Sequence, residues 1–193
     1  MVELPRLLHF RISHYNEKVR WALDLKHVAH VREALVPGFH VPRVRFLTKQ
    51  NKVPVLVLDG EPWAGSAQIL DILERRWPSP PLYSDDPTLR ERALALERHF
   101  DDQVAPEVRR LFWSYYFDHP AECARLATDG FGGGSYATFR ALYWVLKPAM
   151  KRSMGSDAAS VEAAREHLQG HFEHLERELG GREYLVAGEF GVA

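Results

Sequence analysis

The hydrophobic positions in the first eighty residues predict a small mixed sheet with helices packed on it. A short apolar run at Leu7–Phe10 and an alternating pattern at Val31–Val36 predict two strands, and a helix beginning at Ser13 separates them. A second, short helix covers Val41–Thr48. A strand, a helix and another strand in this order form a parallel crossover.

A hairpin and a third helix follow. Val53–Leu58 is a β-branched apolar run that predicts a buried strand, although it contains Pro54. Asp59-Gly60 predicts a two-residue hairpin turn, which leads to a short second strand. An amphipathic helix then extends over Ser66–Arg76.

Pro54 distinguishes this hairpin from an ordinary one. Proline cannot donate to a sheet, so it belongs at the first residue of a strand, at an edge or at a bulge. A Val53–Pro54 bond at a strand entrance is also a place where a cis peptide is tolerated, and a cis bond would turn the Val53 backbone outward. With the free N–H groups of a helix beginning at Ser66 nearby, the pattern predicts a seat for a peptide-like anion.

A proline-rich connector, Trp77–Pro87, predicts a domain boundary. We therefore expect a first domain over residues 1–77, a linker over 78–88 and a second domain over 89–193.

The second domain has a helical pattern throughout. Its features are a long helix over Leu89–Phe117 with a kink or break at Pro106, a loop over Asp129–Gly134, a helix over Tyr136–Met150 interrupted near Pro148, and a 3-4-3 apolar stripe over Val161–Leu179.

Composition narrows the functional classes. The formal net charge of −1, with both signs interspersed, gives no electrostatic footprint for nucleic acid or an anionic membrane. A single cysteine, Cys123, excludes an internal disulfide and a Cys-x-x-Cys redox motif. The N-terminus lacks the apolar core of a signal peptide, and no apolar run reaches the roughly 18 residues of a membrane span. We expect a cytoplasmic protein without a membrane segment.

Three segments resemble the glutathione S-transferase superfamily. Leu7–Leu23 is similar to its first strand, active-site turn and first helix, and Lys52–Leu70 is similar to its glutathione-binding half. Tyr184–Ala193 is similar to the segment that precedes the buried helix of its helical domain. The resemblance implies an α/β thioredoxin-like domain followed by an all-α domain, glutathione as co-substrate and a symmetric homodimer. Because the chain stops at Ala193, we expect it to be a fragment with an incomplete helical domain.

The resemblance also assigns a role to Ser13. In family members that use serine or cysteine at this turn, that residue contacts the glutathione sulfur. Ser13 would donate a hydrogen bond to the thiolate and lower the pKa of the thiol, which then attacks an electrophilic carbon. The alternative is that Ser13 is only an N-cap of the first helix.

The remaining glutathione contacts are also implied by the resemblance. Val53 would pair through its backbone with the cysteinyl part, Pro54 would hold that geometry, and Ser66 would bind the γ-glutamyl carboxylate. Gly65 occupies the position where the family usually has an acidic residue that meets the glutamyl ammonium. Two further candidates, Lys52 and His40, would bind the glycyl carboxylate, or are solvated surface residues.

Two other clusters have a functional and a structural interpretation. The aromatic residues Phe112, Trp113 and Tyr116 would wall an apolar pocket for the second substrate, or belong to the core. His167, His171 and His174 have a helical spacing that superficially suits a metal, but acidic neighbours favour a solvated face, so we expect no metal.

These features favour a glutathione S-transferase that acts on a small apolar electrophile. A non-catalytic module of the same fold, which binds a ligand or a protein, is the first alternative, and Gly65 favours it. A glutathione-dependent isomerase or reductase is the second. Its reductase form is weakened because Ser13 cannot form the mixed disulfide that a cysteine would form.

Overall fold

The computed structural model describes residues 3–186 and places a four-stranded sheet in the first part of the chain. The elements in order are β1 (Arg6–His9), α1 (His14–Leu25), β2 (Val31–Ala34), α2 (Val41–Thr48), β3 (Val55–Leu58), β4 (Glu61–Ala64) and α3 (Ser66–Arg76). The strand order is β2-β1-β3-β4, with β1 parallel to β2 and β3 antiparallel to both of its neighbours. The predicted thioredoxin-like α/β fold is confirmed.

The hairpin between β3 and β4 has the predicted two-residue turn. Leu58 pairs with Glu61 across it, and Asp59 and Gly60 both have positive φ values, 51° and 81°. These angles are those of a type I′ turn, whose twist matches that of the flanking strands.

Each face of the sheet packs against helices. Leu8, Val55 and Val57 form a buried cluster with Val44 of α2. Leu7 and Leu56 are fully buried and point to the opposite face, because side chains alternate along a strand. The fully buried apolar residues of α1 and α3, which contact each other, are Val19, Leu23, Ile69, Leu70 and Leu73.

A buried lysine fastens the connector to the first helix. The Lys26 side chain is 0% exposed and forms an ion pair with Glu74, with Nζ 2.6 Å from Oε2. Its ammonium also donates to the carbonyl oxygens of Trp77 and Pro80, at 2.6 and 2.9 Å. The Glu74 carboxylate accepts from the Leu82 N–H, so every partner of this charge pair lies in the same unit.

The chain divides by its internal contacts into two units, with the boundary between Leu82 and Tyr83. This boundary lies inside the linker predicted over 78–88. The second unit is helical, as predicted. Its helices are α4 (Pro87–His99), α5 (Ala105–Tyr116), α6 (Pro120–Ala127), α7 (Gly133–Met154) and α8 (Ala158–Leu179).

The long helix predicted over Leu89–Phe117 is interrupted, and the break has a specific form. A π-helical turn over Phe100–Val104 joins α4 to α5. Pro106 follows directly in the first turn of α5. Because proline has no N–H, it leaves the carbonyl four residues earlier without its helical donor, and the backbone widens there.

Two other predictions for the second unit differ from the structure. Sequence patterns did not indicate α6, which begins at Pro120 and buries only small residues, Cys123, Ala124 and Ala127. The loop predicted up to Gly134 is shorter, since α7 already begins at Gly133 and continues through Pro148. Packing against α6 stabilises this helix despite its two glycines and its proline.

Tyr143 and Cys123 form a buried contact region between α6 and α7. Both side chains are 0% exposed, and the Tyr143 hydroxyl donates to the Phe117 carbonyl at 2.6 Å. Burial raises the pKa of Cys123 to about 11, so this residue is a neutral thiol at physiological pH.

Two further predictions concern membrane-spanning helices and the C-terminal segment of the chain. Between residues 3 and 186, no helix combines the length and the apolar character that crossing a bilayer requires. Most of the segment Tyr184–Ala193, which resembles the approach to a buried helix, lies outside the described residues.

Replacing the buried lysine gives a direct test of this packing. Lys26→Met leaves Glu74 without its counter-charge, and we expect the free energy of unfolding to fall by about 3–5 kcal/mol in urea denaturation. Lys52→Met, at an exposed site without an ion pair in the described chain, is the control and is expected to change it by less than about 0.5 kcal/mol. Adding Glu74→Gln to Lys26→Met should recover part of the loss. An unchanged stability in Lys26→Met would contradict this role.

Candidate functional site

The register of the sheet brings three chain segments to one end of its strands. We call this end the open edge. Leu8 of β1 pairs with Val55 of β3, so the two residues after Leu8 run alongside Pro54 and Val53 in the antiparallel direction. On the other side of β3, Val55 pairs with Ala64. The turn after β1, the entrance to β3 and the start of α3 therefore lie at the same end of the sheet.

The Val53 backbone is open at this edge. The Val53–Pro54 peptide is cis, as the sequence allowed, and β3 begins two residues after Val53. The Pro54 carbonyl accepts from the Gly65 N–H at 3.0 Å. Within residues 3–186, neither the N–H nor the C=O of Val53 has a hydrogen-bond partner. A half-buried residue with an unused donor and an unused acceptor can pair with an extended peptide ligand.

Ser13 lies at the N-cap of α1, but its side chain does not cap the helix. Its backbone is extended, with φ −97° and ψ 124°, and its hydroxyl makes no capping hydrogen bond. Ser13 instead contributes its carbonyl, which accepts from the N–H groups of Asn16 and Glu17. The hydroxyl is half-buried and remains available for a ligand at a helix N-terminus, where the dipole favours negative charge.

The start of α3 presents a second hydroxyl beside the open Val53 backbone. Ser66 is the first helical residue, is 6% exposed, and has no hydrogen bond to its hydroxyl in the described chain. Gly65 precedes it with φ 93° and ψ 139°, a conformation that side-chain-bearing residues rarely adopt. A Cβ atom at position 65 would meet no atom within 4 Å, so the space beside Ser66 is empty.

A buried arginine holds the turn that carries Ser13, and sequence patterns did not single it out. Arg20 is 8% exposed and donates to the carbonyls of Phe10 and Arg11, at 3.4 and 3.2 Å. Its guanidinium also pairs with Glu17 and lies 2.7 Å from His9 Nδ1. One guanidinium thus binds four acceptors around the turn, which the planar fork of arginine allows.

The Phe10 carbonyl is the centre of this arrangement. Besides Arg20, it receives the N–H of Ser13 at 3.4 Å and the side-chain amide of Asn16 at 3.3 Å. Asn16 is fully buried. Three donors on one carbonyl restrict the backbone that leads to Ser13, so the position of the hydroxyl depends on these contacts.

His9 is kept in its neutral form by burial and by the same arginine. It is 5% exposed, and burial, followed by the adjacent Arg20 charge, lowers its pKa to about 4. Because the guanidinium only donates, His9 Nδ1 accepts and the ring proton is on Nε2. The buried His9–Arg20 pair therefore carries one positive charge at neutral pH.

The two candidates for the glycyl carboxylate differ in availability. Both ring nitrogens of His40 are engaged, since Nδ1 accepts from the Gly38 N–H at 3.1 Å and Nε2 lies 2.9 Å from the Asn51 carbonyl. Burial lowers its pKa, and the bond to Asn51 partly offsets this. Lys52 is exposed and precedes Val53, with its backbone held by the Gln50 side chain. Of the two, Lys52 has a free charged group.

The aromatic cluster of α5 is divided between the core and the surface of the second unit. Trp113 is 6% exposed and stacks on Phe117 at 5.7 Å between ring centroids. Phe112 and Tyr116 are more open, and their rings are 4.7 Å apart. Trp113 is therefore a core residue, while the Phe112–Tyr116 pair offers an apolar surface.

The three histidines of α8 contact carboxylates rather than one another. His167 Nδ1 is 2.8 Å from a Glu107 oxygen, and His174 pairs with Glu178 at 3.7 Å. His171 lies 3.9 Å from Glu107 and packs edge-on against His99. No group of three or more His, Cys, Asp or Glu side chains in the described chain is arranged to hold a metal ion.

Comparison with known proteins gives these features a context. The model of the glutathione S-transferase N-terminal domain matches residues 7–81, which include β1 to α3. A probable glutathione S-transferase of Nicotiana tabacum is 30% identical over 111 residues, which cover 55% of this chain and 48% of the tobacco protein. The match thus spans about half the length of the curated relative.

Solved structures show the same fold over nearly the whole chain. The beta-etherase LigF from Sphingobium sp. strain SYK-6 matches with a TM-score of 0.70 at 16% identity, covering 98% of this chain and 79% of LigF. A glutathione S-transferase from Methylobacterium radiotolerans in complex with glutathione sulfonate matches with a TM-score of 0.65 at 23% identity, covering 98% and 74%. At these identities the solved structures show a shared fold, and the match to the glutathione S-transferase N-terminal domain is confined to residues 7–81.

The neutral His9 predicts how stability depends on pH. Its pKa is lower in the folded chain than the ordinary 6.5, so the stability it contributes is present above pH 6.5 and is lost as the pH falls towards 4. The full loss is on the order of 3 kcal/mol. His9→Asn keeps an acceptor but no titrating group, and we expect a flatter decline in urea stability between pH 7 and 4.5. His119→Asn, at an exposed site, should decline like the parent. Equal slopes for His9→Asn and parent would contradict the assignment.

Proposed function

We propose that this chain is a glutathione S-transferase that joins the thiolate of glutathione to a small apolar electrophile. The observation that carries the proposal is the unpaired Val53 backbone flanked by two helix N-termini, each with an unused serine hydroxyl. Such an edge offers main-chain pairing to a peptide and hydrogen bonds to its anionic groups at the same time. The match of residues 7–81 to the glutathione S-transferase N-terminal domain supports the same function.

In this proposal the cysteinyl backbone and both carboxylates of glutathione have a contact in the first unit. Val53 pairs with the cysteinyl backbone, and Pro54 and Gly65 keep the strand entrance in place through their hydrogen bond. Ser66 binds the γ-glutamyl carboxylate at the start of α3, where the helix dipole adds to the attraction. Lys52 binds the glycyl carboxylate. His40 supports the loop through Asn51 rather than contacting the ligand.

Ser13 has the catalytic role. Its hydroxyl donates to the glutathione sulfur and stabilises the thiolate, whose ordinary pKa of about 8.5 leaves only a small fraction ionised at neutral pH. The proton passes to solvent. The sulfur lone pair then forms a C–S bond with the electrophile, and the leaving group departs with the electron pair of the bond that breaks. Serine keeps its own proton throughout.

The proposal also includes a surface for the electrophile and a homodimeric assembly. Phe112 and Tyr116 supply the apolar surface for the electrophile, while Trp113 supports them from the core. A homodimer is the proposed assembly. A reducing, cytoplasmic location suits both free glutathione and the single buried thiol.

A non-catalytic glutathione-binding module is the second candidate. Gly65 favours it, because an acidic side chain at this position would add a charge contact to the glutamyl ammonium, and glycine cannot. A reductase is less compatible with the site. The turn carries Ser13, and Cys123, the one cysteine in the chain, is buried with a raised pKa in the other unit.

Substitution of the two serines separates catalysis from binding. Ser13→Ala removes a hydrogen bond to a charged sulfur, so we expect kcat/KM to fall about 10- to 100-fold and the pKa of the bound thiol to rise. The dissociation constant of glutathione should change little. Ser66→Ala should instead weaken glutathione binding without changing the thiol pKa. Thiolate absorbance during a pH titration of the complex, together with steady-state kinetics on several electrophiles, measures both effects.

Ser153→Ala, at an exposed position in α7, is the matched control and should leave all three quantities unchanged. Glutathione binding without turnover on any electrophile would favour the binding module. Normal turnover in Ser13→Ala would contradict the catalytic role of its hydroxyl.

A further inference from the structure

The first unit has more basic than acidic side chains, and most of its carboxylates are already in ion pairs. This balance affects which thiol its site can bind. Residues 3–82 contain twelve Lys and Arg but eight Asp and Glu. Seven of the eight carboxylates already form ion pairs, and they belong to Glu3, Glu17, Asp24, Glu33, Asp59, Asp71 and Glu74. Among the described residues of this unit, only Glu61 has no basic partner.

Glu61 lies at the wrong end of the hairpin to reach the open edge. It pairs with Leu58 beside the turn, whereas Ala64, which precedes Gly65, pairs with Val55. Ala64 is three positions after Glu61 along β4, which corresponds to about 10 Å. A ligand along Val53 and Ser66 therefore meets no unpaired carboxylate from the first unit.

The same edge is rich in positive potential. Helices α1 and α3 both begin there, and each helix N-terminus carries a partial positive charge. Arg11 and Lys52 flank the two backbone segments of the site and form no ion pair in residues 3–186. Such an edge attracts carboxylates and offers no counter-charge to an ammonium group.

An acidic side chain at position 65 would supply a counter-charge for a ligand ammonium group, and Gly65 supplies none. Its Cβ direction is empty to 4 Å, beside the free Ser66 hydroxyl. A ligand ammonium in that space would be close to a helix N-terminus of the same sign. The backbone at φ 93° also accounts for the glycine, because a side chain there is strained.

From these observations we propose that the site selects thiols by their carboxylates and does not recognise an α-ammonium group. This inference rests on the proposed function. The preferred substrate class is then a carboxylated thiol, with or without an amino group. Glutathione lacking its amino group, γ-glutaryl-cysteinyl-glycine, has one more net negative charge than glutathione and the same reacting sulfur.

Calorimetric binding of these two thiols to the unmodified chain tests the proposal. We expect γ-glutaryl-cysteinyl-glycine to bind as tightly as glutathione or more tightly. A preference for glutathione of tenfold or more would overturn it, and would mean that a carboxylate from outside the first unit meets the ammonium. Binding of neither thiol would instead remove the proposed function, and this inference with it.

Gly65→Asp and Gly65→Asn provide a matched pair. The two side chains are nearly isosteric and impose the same backbone strain, so their difference reports the charge alone. Gly65→Asp should shift the preference towards glutathione by about fivefold or more relative to Gly65→Asn. Equal preferences in the two variants would contradict the role given to this position. The measurement on the unmodified chain decides the proposal even if neither variant folds.

Discussion

The antiparallel pairing of β3 with both of its neighbours is the constraint on which the candidate site depends. Since β1 and β4 run opposite to β3, the end of each meets the beginning of β3. That register places the Ser13 turn, the Val53 backbone and the start of α3 at one edge without any long-range loop. A slip of one residue would turn Val55 and Val57 away from Val44 and bury the wrong face, so core packing fixes the site geometry.

The polar groups around this edge separate into those that hold the structure and those left open. Arg20, His9 and Asn16 are buried: Arg20 donates to His9, and Arg20 and Asn16 both donate to the Phe10 carbonyl, which determines where the Ser13 turn lies. The hydroxyls of Ser13 and Ser66 and the Val53 backbone take no part in those contacts. Because the internal contacts leave these groups unused, they are available to a ligand, as the proposed function requires.

Sequence reasoning reached the parts that local chemistry determines. Asp59-Gly60 specifies a type I′ turn because both residues tolerate positive φ, and Pro54 indicates an irregular strand entrance. The helix over Ser66–Arg76 was predicted with its observed bounds. Its apolar spacing agrees with the face that it buries.

The parts that were missed depend on contacts between distant positions. The Arg20–His9 contact joins residues eleven apart, and neither side chain looks unusual in the sequence. Pro106 predicted a break in the long helix but not its π-helical form, and the short helix α6 has a weak propensity and depends on packing in the second unit. The sequence left open whether Trp113 belongs to the core or walls a pocket, and its stacking on Phe117 inside the second unit is a contact that spacing alone cannot show.

We propose that the open Val53 backbone and the two hydroxyl-bearing helix ends act as one site for glutathione. Amide NMR of the chain titrated with glutathione sulfonate, an unreactive analogue, tests this most directly. We expect saturable shifts that centre on the Val53, Ser13 and Ser66 amides, together with slowed hydrogen exchange at Val53 as its N–H gains a partner. Shifts that centre elsewhere, with Val53 exchange unchanged, would contradict it.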